Sequence, residues 1–260
     1  MPESDLALLT RAAFAAGAEA MRWFRGSFTV RDKGGAEGPV TEADIAVNDL
    51  LAGLLRAARP DYGWLSEETP DDPARLSCER VFILDPIDGT RAFIEGHAGF
   101  AHSLAVAEGG RVTAGVVFLP ARNILYAAEA EGVATRDGVP IRPSARDGPE
   151  GATLLATKSI LAPEHWRDGR APEVSRHFRP SLASRLCLVA DGGFDAMLTL
   201  RPAWEWDIAA GSLIAERAGV RVTDRRGGAL RFNTPGARAD GVLAAGEGVW
   251  RGISERLAPG

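Results

Sequence analysis

The chain has only two cysteines in 260 residues. Cys78 and Cys187 lie far apart and outside any CxxC spacing. That excludes a disulfide framework and a thiolate zinc site, and two free thiols suit a reducing, cytoplasmic setting. Long apolar runs are missing too: no segment reaches the roughly 18 apolar residues of a spanning helix. No basic stretch precedes an apolar one near Met1, so neither a membrane span nor a secretory leader is expected. Positive charge is not in excess. Thirty Lys and Arg against 35 Asp and Glu give a net charge of −5. This argues against a nucleic acid polymer or a membrane surface as partner, since both require cations that replace counterions; a local basic pocket for a small anion is left open. The four histidines, His97, His102, His165 and His177, show no HxxxH pairing and read as surface or packed residues rather than metal ligands. Ser103 and Ser159 lack a GxSxG context, so a covalent serine mechanism finds no support. Internal repeats and low-complexity segments are absent.

What is present is ordinary globular material, 45% hydrophobic and 25% charged, enough for two packed halves around a sizeable core. Leu6, Leu9, Ala13, Ala16, Ala20 and Phe24 recur at helical spacing over residues 5–25, with Ser4 as the cap. A glycine-rich polar loop, 31–40, feeds a second helix whose Thr41 and Asp44 have capping-box spacing and which ends before Pro60. The VFIL strand at 81–84 is followed by antiparallel strands over 102–120 and 123–130, turning at Gly109 and Gly110, and by a hairpin around Asp137 and Gly138. Pro, Gly and charge concentrate in 142–151, which marks a junction between an N-terminal half, 1–145, and a C-terminal half, 146–260. Beyond it strands at 153–157, 194–200, 220–223 and 241–246 alternate with helices near 184–192 and 207–218, as in a layered α/β unit.

The chemistry is concentrated in VFILDPIDGTRAF, residues 81–93, where an apolar strand ends in Asp85 and Asp88 around Pro86, followed by Gly89 and Thr90. Carboxylates packed this closely repel, and burial raises the cost, so such a pair shares a proton or a cation. Three more acidic sites can join it: Glu67 and Glu68 in WLSEET, Asp44 in VTEAD, and Asp207 in WEWDIAAG. Singly, adjacent glutamates are ordinarily solvated and an Asp at a helix start is ordinarily a cap. As a set, hard oxygen ligands from separate elements suit Mg²⁺. Two such ions about 3.5 to 4 Å apart activate water and stabilise a leaving oxygen in phosphoryl transfer. Gly89, Thr90 and the helix after them would offer N–H groups to a phosphate.

In order and spacing, VTEAD, LSEE, DPIDGT and WDIAAG resemble the inositol monophosphatase superfamily of Mg²⁺-dependent, lithium-sensitive phosphatases, over about residues 5–255. The resemblance implies an α/β (α+β) fold, the five-layered αβαβα sandwich of the inositol monophosphatase and sugar phosphatase type, with two or three Mg²⁺ ions between two halves. The first half would carry most metal ligands, the second Asp207 and the substrate-selecting residues. By position it implies Glu67, Asp85, Asp88, Asp207 and the Ile87 carbonyl as metal ligands, and Glu67 and Thr90 as the groups orienting the attacking water. Asp44 would accept from Thr90 and border a weaker metal position, and Lys33 would be the lysine of a mobile loop. Asp88, Gly89, Thr90, Arg185 and Asp207 would meet the substrate, a small phosphorylated metabolite; homodimers are common among such proteins. A glutamate that grips inositol falls here on Thr199. LSEE, Arg91 after DGT, EWD, and the spacing from Cys187 to Asp207 resemble instead the 3'(2'),5'-bisphosphate nucleotidases, which convert adenosine 3',5'-bisphosphate to AMP and phosphate. On that reading Arg185 and Arg201 are candidates for the second phosphate. Inositol-1-monophosphatase and histidinol-phosphate phosphatase are the alternatives within the class. A regulatory binding protein of the transcription machinery is the alternative outside it, opposed by the presence of every expected ligand. Trp204 and Trp206 are expected to pack the helix bearing Asp207, with stacking on a base as the lesser reading.

Overall fold

The computed structural model describes residues 3–34 and 38–259. In chain order its main elements begin with α1 (Asp5–Trp23), β1 (Val30–Asp32), β2 (Pro39–Thr41), α2 (Glu42–Ala58), β3 (Gly63–Ser66) and β4 (Arg80–Asp88). There follow α3 (Thr90–Ile94), β5 (Ala101–Glu108), β6 (Arg111–Leu119), β7 (Ile124–Glu129), β8 (Thr135–Arg136) and β9 (Val139–Pro140). The remainder comprises β10 (Thr153–Leu155), β11 (Ser175–His177), α4 (Leu182–Ala190), β12 (Ala196–Thr199), β13 (Ala203–Trp204), α5 (Glu205–Ala218), β14 (Arg221–Thr223), β15 (Arg238–Ala239), β16 (Val242–Ala245) and α6 (Glu247–Ser254).

Both helical N-termini expected near the start form as their sequences dictate. Ser4 accepts from the Ala7 N–H to cap α1, and α2 opens with a full capping box in which Asp44 fills the position usually held by Glu. The hairpins at Gly109–Gly110 and Asp137–Gly138 are two-residue loops with positive φ at both positions, the geometry that matches strand twist. Segment 142–151 lies between β9 and β10 and carries no strand or helix.

Two sheets organise the molecule, one with strand order β3-β4-β5-β6-β7-β8-β9 and one with order β11-β10-β12-β16-β14. The central strands are buried along nearly their whole length, so each sheet has two apolar faces, and helices cover them. One face of the larger sheet meets α1 and α2 through Leu8, Leu51, Phe82 and Leu104. Its other face joins α4 and α5, which reach the smaller sheet through Leu186, Ile214, Met197 and Val222. The far face of the smaller sheet packs on α6 through Leu198, Leu243, Val249 and Ile253. The result is the expected five-layered αβαβα sandwich. At its centre α5 approaches β6 so closely that a Cβ on Gly115 would lie 3.0 Å from the Ala210 backbone.

Candidate active site

Glu67 and Asp85 are neighbours because β3 and β4 run parallel in register, with Ser66 opposite Leu84. Each carboxylate is the next residue along its strand, and the Glu67 N–H donates to the Leu84 carbonyl at 3.3 Å. Asp85 and Asp88 would point to opposite faces of an ideal strand. Here Asp85 pairs with Ser103 and Asp88 with Ala101, three steps on β4 against two on β5. That extra residue is a β-bulge, and it turns both carboxylates to one side. Pro86, which has no N–H to give to the ladder, sits inside it. Gly89 follows at φ +100°, a conformation that L side chains rarely adopt, and it turns the chain into α3.

Asp207 comes from the first turn of α5, held against the sheet where the Ser103 hydroxyl donates to the Trp206 carbonyl at 2.8 Å. Oxygen atoms of Glu67, Asp85 and Asp207 lie within 4.8 Å of one another. Burial pushes the carboxyls of Asp85 and Asp207 well up, and repulsion from their acidic neighbours adds to it. A trio of hard oxygen donors converging from three elements fits a divalent cation such as Mg²⁺.

Asp88 stands beside the trio. Its Oδ2 accepts from the Ser181 hydroxyl and the Ala183 N–H, both at 2.7 Å, so it docks onto the N-terminus of α4. Burial pushes its pKa up to about 6, while the bonds from Ser181 and Ala183 and the nearby Arg185 pull the other way. Thr90 Oγ1 lies 3.1 Å from both Asp44 Oδ1 and the Ile87 carbonyl. Asp44 is therefore both a helix cap, accepting from the Thr41 N–H at 2.8 Å, and the partner of the threonine. Burial raises its pKa against the pull of Thr41 and Thr90. Lys33 sits 3.2 Å from Glu67 and 2.6 Å from Glu68, and burial with repulsion from Glu67 pushes Glu68 up to about 7 despite that lysine.

A cavity of about 610 Å³ opens over this cluster, lined by Glu67, Asp85, Ile87, Asp88, Gly89, Thr90, Arg91 and Asp207. Thus the structure brings together every carboxylate singled out in the sequence, with Ile87, Gly89 and Thr90. Neither of the two arginines lines that cavity. Arg185 is 4% exposed on the buried face of α4, where its Nε donates to the Arg179 carbonyl at 2.6 Å and its guanidinium covers the Phe178 ring. Arg201 is exposed beyond the end of β12, and neither it nor Thr199 lines the cavity. The cation at the mouth is Arg91.

Three features were not anticipated. Trp204 and Trp206 stack on each other, 4.4 Å between centroids at 15°, and both line the cavity as well as packing against the core. Glu205, the residue between them in the chain, is fully buried and accepts from the Asn233 N–H at 2.6 Å and the Thr234 N–H at 3.0 Å. The buried Arg75 holds the same loop through the Asn233 side chain and the Thr234 carbonyl. The EWD motif and a lone arginine carry no periodic signal for such a latch.

His102 is the third. It is packed, as expected, with no exposure. Its Nδ1 meets the Pro86 carbonyl inside the bulge, and since a carbonyl can only accept, Nδ1 carries the proton. Burial lowers its pKa to about 4, so it is neutral at physiological pH. His102→Phe leaves that buried carbonyl without a donor and is expected to cost about 1–3 kcal/mol. The cost is read as a lower urea midpoint at unchanged m; an unchanged midpoint would show that the bond contributes nothing.

The sequence profile of the inositol monophosphatase family matches residues 1–258. Among curated relatives, the 3'(2'),5'-bisphosphate nucleotidase CysQ of Escherichia coli K12 is 32% identical over 197 residues, covering 75% of this chain and 79% of that protein. The inositol-1-monophosphatase of Rhizobium meliloti is 33% identical over 239 residues, 86% of each. Among solved structures, the extragenic suppressor protein SuhB of Bartonella henselae superposes with a TM-score of 0.80 at 27% identity, over 95% of this chain and 96% of that one.

Proposed function

This chain belongs to the inositol monophosphatase family and is a phosphoric monoester hydrolase, and we propose that it removes the 3'-phosphate of a nucleoside 3',5'-bisphosphate such as adenosine 3',5'-bisphosphate. The observation carrying the chemistry is the convergence of Glu67, Asp85 and Asp207 beside the Thr90–Asp44 contact. Those three carboxylates, with Asp88 and the Ile87 carbonyl, would hold magnesium. Bound magnesium supplies Lewis acidity, which makes water nucleophilic near neutral pH and offsets phosphate charge.

The chain's own groups do the rest. Thr90, held by Asp44 at 3.1 Å, presents its hydroxyl at a fixed angle and with Glu67 orients the attacking water. Asp44 keeps the threonine proton directed away from that water. Gly89 and Thr90 open α3, whose first N–H groups have no partner inside the helix and meet the phosphate. Arg91, exposed at the mouth, is a cation available to a second phosphate; Arg185 and Arg201 do not line the cavity.

The nucleotidase reading is supported by the likeness to CysQ and by the aromatic pair in the cavity wall; the likeness to an inositol-1-monophosphatase keeps that substrate in the test. Phosphate release is measured at fixed Mg²⁺ from adenosine 3',5'-bisphosphate, inositol 1-phosphate, histidinol phosphate and fructose 1,6-bisphosphate. The bisphosphonucleoside is expected to give the highest kcat/KM. A higher value for inositol 1-phosphate would overturn the substrate while leaving the hydrolase intact.

A further inference from the structure

Trp204 has both faces covered. It is paired across strands with Arg238, the register partner in β15, whose guanidinium carbon lies 3.5 Å from the Trp204 ring centroid. Trp206 stacks at 4.4 Å. Two groups at such separations cannot share one face of an indole, so the order of the stack is Arg238, Trp204, Trp206. Trp206 ends the stack: it is partly buried, and among the described residues no ring or guanidinium other than Trp204 stacks on it. It borders both the cavity over the carboxylates and an adjoining one of about 530 Å³ toward Lys33 and Gly236. The Arg75 and Glu205 bonds to Asn233 and Thr234 hold the loop that delivers Arg238.

From this geometry we infer that the outer face of Trp206 is a stacking platform for the planar base of the substrate, with Arg238 and Trp204 as its rigid backing. The inference rests on the nucleotide reading above and adds the subsite for the base. Stacking uses the π-face that every base has. In the loop beside the platform the Asn233 side chain is engaged with Arg75, and the Thr234 hydroxyl with Glu205. The platform therefore selects for an aromatic base rather than for one base, and purines gain over pyrimidines only by area.

The test is binding, measured by calorimetry with Mg²⁺ present. Adenosine 5'-phosphate is compared with ribose 5-phosphate, which carries the same phosphate and sugar without the base. In the wild type the nucleotide binds about tenfold to a hundredfold tighter, and guanosine 5'-phosphate follows it within severalfold. Trp206→Leu brings the ratio of the two affinities close to one, Trp206→Tyr keeps much of it, and Arg238→Gln lowers it severalfold. A ratio unchanged in Trp206→Leu would overturn the platform. If Trp206→Leu does not fold, an unchanged ratio in Arg238→Gln would do so. A wild-type ratio of one, with adenosine 3',5'-bisphosphate still the best substrate, would refute the platform alone. Failure of that compound as a substrate would refute the nucleotide reading itself.

Discussion

Asp88→Asn is expected to lower Mg²⁺-dependent phosphate release by at least ~10²-fold while leaving the fold intact. Oδ2 of Asp88 receives two donors, the Ser181 hydroxyl and the Ala183 N–H. An asparagine there must turn its carbonyl oxygen to them, because its NH₂ would meet a backbone N–H donor head on. The NH₂ then faces the cavity, where a cation would be. One substitution thus removes a negative charge and aims two donors at a metal position. In metal-free protein the same change relieves repulsion, since Asp88 contributes to the raised pKa of both Asp85 and Asp207. The Tm in chelator is accordingly expected to stay level or rise. Activity lost with Tm retained separates a site effect from unfolding; equal phosphate release from wild type and variant would sink the assigned mechanism.

Much of this site was legible because each candidate ligand sits at a strand end or a helix start. Asp85 closes VFIL, Glu67 follows GWLS, and Asp207 opens a helix. Strand ends and helix starts are where side chains leave the core, so acidic groups in those positions are visible without coordinates. For Asp44 the cap and the expected contact with Thr90 are both present: one oxygen caps α2 and the other meets Thr90. What was hidden depends on contacts between remote segments. Ser181 docks Asp88 across 93 residues, and Arg75 reaches Asn233 across 158, distances over which no periodicity survives. Arg185 was hidden for a related reason: an arginine on a helix shows its charge in sequence, but not that its face of α4 is buried, nor that its Nε is spent on the Arg179 carbonyl while its charge stays near Asp88 and Asp207. α6 also went unread, since its eight residues lack a side-chain cap.

Metal-free protein is expected to be more stable at pH 5.5 than at pH 8, by roughly 5 to 15 °C in Tm, and added Mg²⁺ should raise Tm far more at pH 8. Folding raises the pKa of Asp88 to about 6 and of Glu68 to about 7, above their values in the unfolded chain. A raised group contributes stability that is fully present below the unfolded pKa and is lost as pH climbs through the folded one. Asp44, Asp85 and Asp207 are shifted the same way, so the loss falls mainly between about pH 4 and above 7. Ionising Asp88 or Glu68 in the folded protein costs about 3 kcal/mol more than in the unfolded chain. His102 runs oppositely. With its pKa lowered to about 4, it makes stability rise with pH between there and 6.5, and one such group only blunts the slope set by several carboxyls. The carboxylates held low, Asp71 by Arg75 and Asp195 by hydrogen bonds from Ser144 and Thr153, lose that support only below this range. Magnesium binds the deprotonated carboxylates, so it takes the place of their protons and flattens the profile. A Tm in chelator that stays level or rises from pH 5.5 to 8 would mean that the buried acids bear their charges without help, and that the cluster is not strained toward a cation.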